Sequence, residues 1–171
     1  ACAALTRWIA CASAAVAACA VPAVAAPNDS RDYLIVANYR EPSILRYDLQ
    51  TGAFDGVLAL GGENGLIGPR ALAIGAEGLL YVDSTGMEYM PQASGDVPAI
   101  LKYDIRTGAF RGVFTVLSTD PSGADWYRSM RFGLDGNLYV GPHKDGQDEI
   151  GIYRFNGTTG QPMGMFASAP S

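Results

Sequence analysis

The segment Leu45-Arg46-Tyr47-Asp48-Leu49-Gln50-Thr51-Gly52-Ala53-Phe54-Asp55-Gly56-Val57 returns as Leu101-Lys102-Tyr103-Asp104-Ile105-Arg106-Thr107-Gly108-Ala109-Phe110-Arg111-Gly112-Val113. A looser third copy, Arg154-Phe155-Asn156-Gly157-Thr158-Thr159-Gly160, is followed by Met163-Gly164-Met165-Phe166. A second phrase runs out of step with the first: Ala71-Leu72-Ala73-Ile74-Gly75-Ala76-Glu77-Gly78-Leu79-Leu80-Tyr81-Val82 reappears as Ser129-Met130-Arg131-Phe132-Gly133-Leu134-Asp135-Gly136-Asn137-Leu138-Tyr139-Val140. A period of roughly 56 residues belongs to a unit that buries its faces against copies of itself.

Both phrases read as hairpins. In the second, Glu77-Gly78 and Asp135-Gly136 are residue types that accept the positive φ of two-residue turns, and apolar or alternating segments flank them. In the first, Gly52 supplies the backbone freedom of a turn between Leu45–Leu49 and Ala53–Leu60. Two hairpins in series make four antiparallel strands, A to D, the content of one β-propeller blade. The prediction is an all-β chain with about three blades: a first unit without strand A (33–60), a second over 70–117 and a third over 127–167. No segment after the N-terminal leader carries a 3.6-residue period. Tyr47, Tyr103, Phe54 and Phe110 recur in register and are expected between blades, while Asp48 and Asp104 are expected to brace a repeated turn.

Gly133-Leu134-Asp135-Gly136-Asn137-Leu138-Tyr139-Val140 and the Tyr-Asp-x-x-Thr-Gly-Ala-Phe copies starting at Tyr47 and Tyr103 resemble six-bladed propellers of the NHL-repeat and streptogramin-lyase-like kind. Leu34-Ile35-Val36-Ala37-Asn38 is similar to YVTN-type propellers, commonly seven-bladed. The resemblance implies the fold and leaves activity open, because such propellers serve as enzymes, binding modules and scaffolds. The lyases use a His and acidic metal ligands beside a Trp-Phe-Thr-Glu-like strand end. Here the matching positions are Tyr81-Val82-Asp83-Ser84 and Tyr139-Val140-Gly141-Pro142, so that active site is not carried over.

Closing a ring takes about four to eight blades. With under three complete units, an Ala at position 1 and no strand A in the first unit, the expectation is a partial chain. Roughly 150 further residues would complete six blades at about 50 per repeat. The alternative is that a second copy supplies the missing blades.

Residues 1–25 are apolar and Ala-rich around a single Arg7, and Ala23-Val24-Ala25 fits a small-x-small cleavage site. The expectation is a signal peptide, a short linker over 26–32, and a secreted, periplasmic or cell-surface bacterial protein with no stable membrane span after cleavage. Val16-Ala17-Ala18-Cys19 offers the alternative of a lipid on Cys19. Cys2, Cys11 and Cys19 all lie in this leader, so the mature domain has no cysteine and no disulfide. The chain's formal charge of −5 is scattered, which argues against nucleic acid as a partner.

The turns A–B and C–D are short, whereas Gly61–Pro69, Asp83–Ala99, Ser118–Trp126 and Gly141–Ile150 are long. In a four-stranded meander these two sets lie on opposite rims, and binding residues concentrate in loops held by a rigid scaffold. The rim candidates are Asp83, Glu88, Tyr89, Asp125, Trp126, His143, Asp145, Asp148 and Glu149. Carboxylates there suit Ca²⁺ or Mg²⁺, although no known metal spacing is matched and no cofactor is predicted. His143 is the only histidine, hence the single side chain suited to general-base work near neutral pH. Trp126 and Tyr89 offer stacking surfaces. The functional expectation is a noncatalytic module that binds a protein, peptide or glycan through this rim. The alternative is a metal-assisted lyase or lactonase-type hydrolase with its site on the axis.

Overall fold

The computed structural model describes residues 32–85, 99–116, 126–143 and 151–168. Among them the chain is entirely strand and turn, in three antiparallel meanders. Blade 1 is β1 (Tyr33–Asn38), β2 (Ser43–Asp48) and β3 (Phe54–Leu60). Blade 2 is β4 (Pro69–Ile74), β5 (Leu79–Ser84), β6 (Ala99–Asp104) and β7 (Phe110–Val116). Blade 3 is β8 (Trp126–Phe132), β9 (Leu138–His143), β10 (Ile152–Phe155) and β11 (Pro162–Ala167). The inner strands line up, with β4 packed between β1 and β8. The described residues contain no helix long and apolar enough to cross a membrane.

The C–D turns show why the repeat is written as it is. Asp48 Oδ1 accepts the Gln50 and Thr51 amides at 3.0 and 2.8 Å. Asp104 Oδ1 does the same for Arg106 and Thr107 at 3.1 and 3.0 Å, and Asn156 Oδ1 for Thr158 and Thr159 at 3.0 and 2.9 Å. A short polar side chain thus satisfies two turn amides, and Gly52, Gly108 and Gly160 close the turns at φ 70, 72 and 72°. In blade 2 the Arg111 guanidinium, 2.8 Å away, holds the Asp104 carboxyl well below the usual carboxylate range, with the Thr107 amide adding to the effect. The repeated aspartates are turn braces.

Each C–D pair also carries two register shifts at matching places, beside Ile44 and Arg46, Ile100 and Lys102, and Ile152 and Arg154. The ladder therefore skips Leu58, Phe114 and Phe166 at one shift and Asp55, Arg111 and Met163 at the other. The skipped residues meet the next blade. A Cβ on Gly108 would collide with the Leu58 carbonyl, and one on Gly160 with the Phe114 carbonyl. Each turn glycine therefore sits against the bulged strand of the preceding blade.

Two cores follow from strand alternation. Leu80, Val82, Leu101 and Tyr103 face blade 1 and pack with Ile44, Ala59 and Leu66. Ala71, Ala73, Tyr81, Ile100 and Phe114 face blade 3 and pack with Tyr127, Met130, Leu138, Val140, Tyr153 and Phe155. Tyr81 meets Phe114 and Phe132 edge-on, with centroids 5.0 and 4.7 Å apart.

Three expectations are corrected. The A–B turns are three-residue loops in which only Gly78 and Gly136 take positive φ, because the Gly75 and Gly133 amides bond Leu79 and Asn137 across a longer span. Tyr47 and Phe54 pair at 5.5 Å as Tyr103 and Phe110 do, yet Phe54 is exposed because blade 1 has no packed neighbour on that side. The long-loop rim is also uneven, since Tyr39–Pro42 joins β1 to β2 by a tight turn held by a bond from Gly61 N to Pro42 O.

Gly108→Ala and Gly78→Ala share left-handed φ values of 72 and 71°. Each should lose about 1–2 kcal/mol from that strain. Gly108→Ala should lose clearly more in denaturant melts, because only its Cβ meets the neighbouring blade. Equal losses would contradict the packing.

Candidate functional site

Asp83 is the fifth residue of β5, on the rim that carries the long loops. Alternation puts it on the same face as Tyr81, toward blade 3, while its neighbours turn the other way. Ser84 faces the β3–β4 connection, donating to Gly65 O at 2.7 Å and accepting from Ile67 N at 2.8 Å. That pair of bonds fixes the end of β5 and with it the direction of Asp83.

The repeat does not call for an acid here. Val36 pairs with Leu45 and Val82 with Leu101, so the residue after each corresponds: Ala37 in blade 1, Asp83 in blade 2. In blade 3 it is Gly141, where a Cβ would lie 2.7 Å from Ser129 Oγ. An Asp between an Ala and a Gly has no shared structural duty.

Its carboxyl is 0 % exposed. Thr85 Oγ1 donates to Oδ2 at 3.3 Å, and among the described residues Oδ1 has no hydrogen-bond partner. Burial pushes its pKa up to about 8, with the Thr85 hydroxyl, the Arg70 charge and the Tyr127 amide pulling the other way. Desolvation wins over three favourable contacts, so the group is a neutral acid near pH 7. Arg70 stands in the bulge between Pro69 and Leu72, donates from Nη2 to the Tyr39 hydroxyl at 2.7 Å, and lies 4.4 Å from that ring's centroid. The site thus gathers residues of all three blades: Tyr39 of the first, Arg70, Asp83 and Thr85 of the second, and Tyr127 of the third.

Trp126 and His143 face each other as the last backbone pair of β8 and β9, on the same rim as Asp83. Glu88, Tyr89, Asp125, Asp145, Asp148 and Glu149 lie outside the described residues. No group of three or more His, Cys, Asp or Glu stands together among the described residues as a metal site. Sequence reasoning missed Arg70, Tyr39 and Thr85. One signal was available: Arg70 recurs as Arg128 at the same point of the repeat. The other buried side chain of this kind, Tyr103, has its hydroxyl unpartnered in the blade 1–2 core, where burial first and Glu63 second push it up to about 12.

No protein-family model and no curated protein matches the chain. Among solved structures it is similar to hydrazine synthase of Kuenenia stuttgartiensis, with a TM-score of 0.53 and 18% identity over 81% of this chain and 34% of that one. It is also similar to a gluconolactonase of Xanthomonas campestris, with a TM-score of 0.51 and 17% identity over 77% of this chain and 36% of that one. Both are β-propeller proteins, and the likeness shows that fold. The chain spans about a third of the length of either structure.

Because the Asp83 pKa is 3.8 when unfolded and about 8 when folded, the native chain keeps a proton that the unfolded chain has released between those values. Stability should therefore fall as pH rises across that window. By calorimetry, wild type should lose on the order of 5 °C more than Asp83→Asn between about pH 5 and pH 8. Parallel curves would mean that Asp83 is an ordinary solvated carboxylate.

Proposed function

We propose that the chain supplies blades of an exported, NHL-like β-propeller that binds its ligand on the long-loop rim, at the junction of blades 2 and 3, without catalysing a reaction. The observation that carries this reading is Asp83 itself: an acid outside the repeat, fully buried, with one oxygen unpartnered among the described residues. Leaving a buried polar atom unpaired costs about 1–3 kcal/mol. Such a group is retained where a ligand completes it.

Its protonation state selects the ligand class. A neutral carboxyl offers one O–H donor and one acceptor, which suits a hydroxyl, an amide or a carbonyl better than a cation. Among protein, peptide and glycan ligands this favours an uncharged polar group, such as a sugar hydroxyl or a peptide amide, entering beside Tyr127. The Arg70–Tyr39 pair positions the blade 1 side of the site and adds a positive charge that tolerates a partial negative charge on the ligand.

Binding to neutral oligosaccharides and uncharged peptides, read by calorimetry, should be flat from about pH 5 to pH 7 and weaken above about pH 8 as Asp83 ionises. Asp83→Ala should weaken it by roughly tenfold at all pH values. Affinity that rises with pH through the same range, or that requires Ca²⁺ or Mg²⁺, would overturn this reading in favour of the metal-assisted lyase or lactonase-type hydrolase.

A further inference from the structure

The two ends of the three-blade stack are complementary halves of one interface. At each internal junction a turn glycine meets a bulged strand: Gly108 against Leu58, and Gly160 against Phe114. Gly52 holds the same turn in blade 1 at φ 70°, yet a Cβ there would meet nothing within 4 Å. Around it Leu34, Val36, Tyr47 and Leu49 line an apolar hollow of about 290 Å³. Leu34 corresponds to Leu80 by strand register, and is 51% exposed where Leu80 is 1% exposed.

Blade 3 has the opposite deficit. Phe166 is the counterpart of Leu58 and Phe114, skipped by the ladder in the same way, and it is exposed. Ile152, the counterpart of Ile44 and Ile100, is 43% exposed where both of those are 0% exposed. Arg46 in blade 1 is satisfied by Asp55 at 2.5 Å and by the Arg106 carbonyl in the next blade's turn at 3.0 Å. Its counterpart Arg154 has Met163 where blade 1 has Asp55, and its buried Nε has no partner among the described residues. Blade 3 therefore lacks a turn, and the turn of blade 1 lacks a strand.

From these paired deficits we infer that a second copy of this chain docks on both ends, each Asp48–Gly52 turn seating against the Phe166 strand of the other. The contact joins unlike surfaces, so two copies related by a twofold axis along the stack satisfy both at once and close six blades. The apolar faces, alike in residue type to the internal junctions, supply the driving force. In the dimer the Gln50 carbonyl takes the place that Arg106 holds at the internal junction, within reach of the Arg154 guanidinium. The inference rests on blade register and is independent of what the rim binds.

Size-exclusion chromatography with light scattering on the full chain should read twice the chain mass. Gly52→Asn, which keeps the left-handed turn as Asn64 does at φ 53° but adds a side chain to the contact, should give a monomer. Phe166→Arg, at an exposed position, should do the same. Circular dichroism should show both variants folded. Mixing the two should restore a dimer, because each leaves intact the face that the other has lost. A monomeric wild type, open polymers, or a dimer that neither variant disturbs would overturn the proposal.

Discussion

The fold depends on one contact: a turn glycine of one blade set against the bulged, ladder-skipped residue of the blade before it. Each sheet alone is a twisted meander with two apolar faces, and such a unit gains stability only by stacking on a neighbour. The bulge takes Leu58 or Phe114 out of the ladder, and the glycine lets the next backbone come close enough to cover it. The Tyr103 and Tyr81 clusters can be dry only because that approach is made. A larger residue at Gly108 would hold the blades apart along their whole depth.

The chemistry of the rim follows from the same contact. Asp83 lies on the face of β5 that blade 3 covers, and the Tyr127 backbone is among its neighbours there. Without blade 3 that carboxyl would be solvated and ionised. Blade packing thus turns an ordinary aspartate into a neutral acid held at the junction. Arg70 and Tyr39 make the corresponding link to blade 1, so the site's geometry is set by rigid sheets rather than by loops.

Much of this was legible in the sequence. The paired phrases specified hairpins, strand order and the number of blades, because turn chemistry and alternation are local. Asp48 and Asp104 were readable as turn braces for the same reason. Asp83 was visible as a rim acid, but its burial was not, since that depends on a strand more than forty residues further on. The skipped residues were hidden as well, because a bulge is a property of two strands in register. The exposure of Phe54 beside a buried Tyr103 marks the limit of repeat reasoning: identical residues differ in burial when one copy sits at the end of the stack.

The most direct test is a ¹³C titration of the Asp83 side-chain carboxyl in the folded protein, assigned by comparison with Asp83→Asn. The account predicts a single transition near pH 8, far above the ordinary 3.8. A transition near the ordinary value would show a solvated carboxylate, and would remove both the covered junction between blades 2 and 3 and the ligand site built on it.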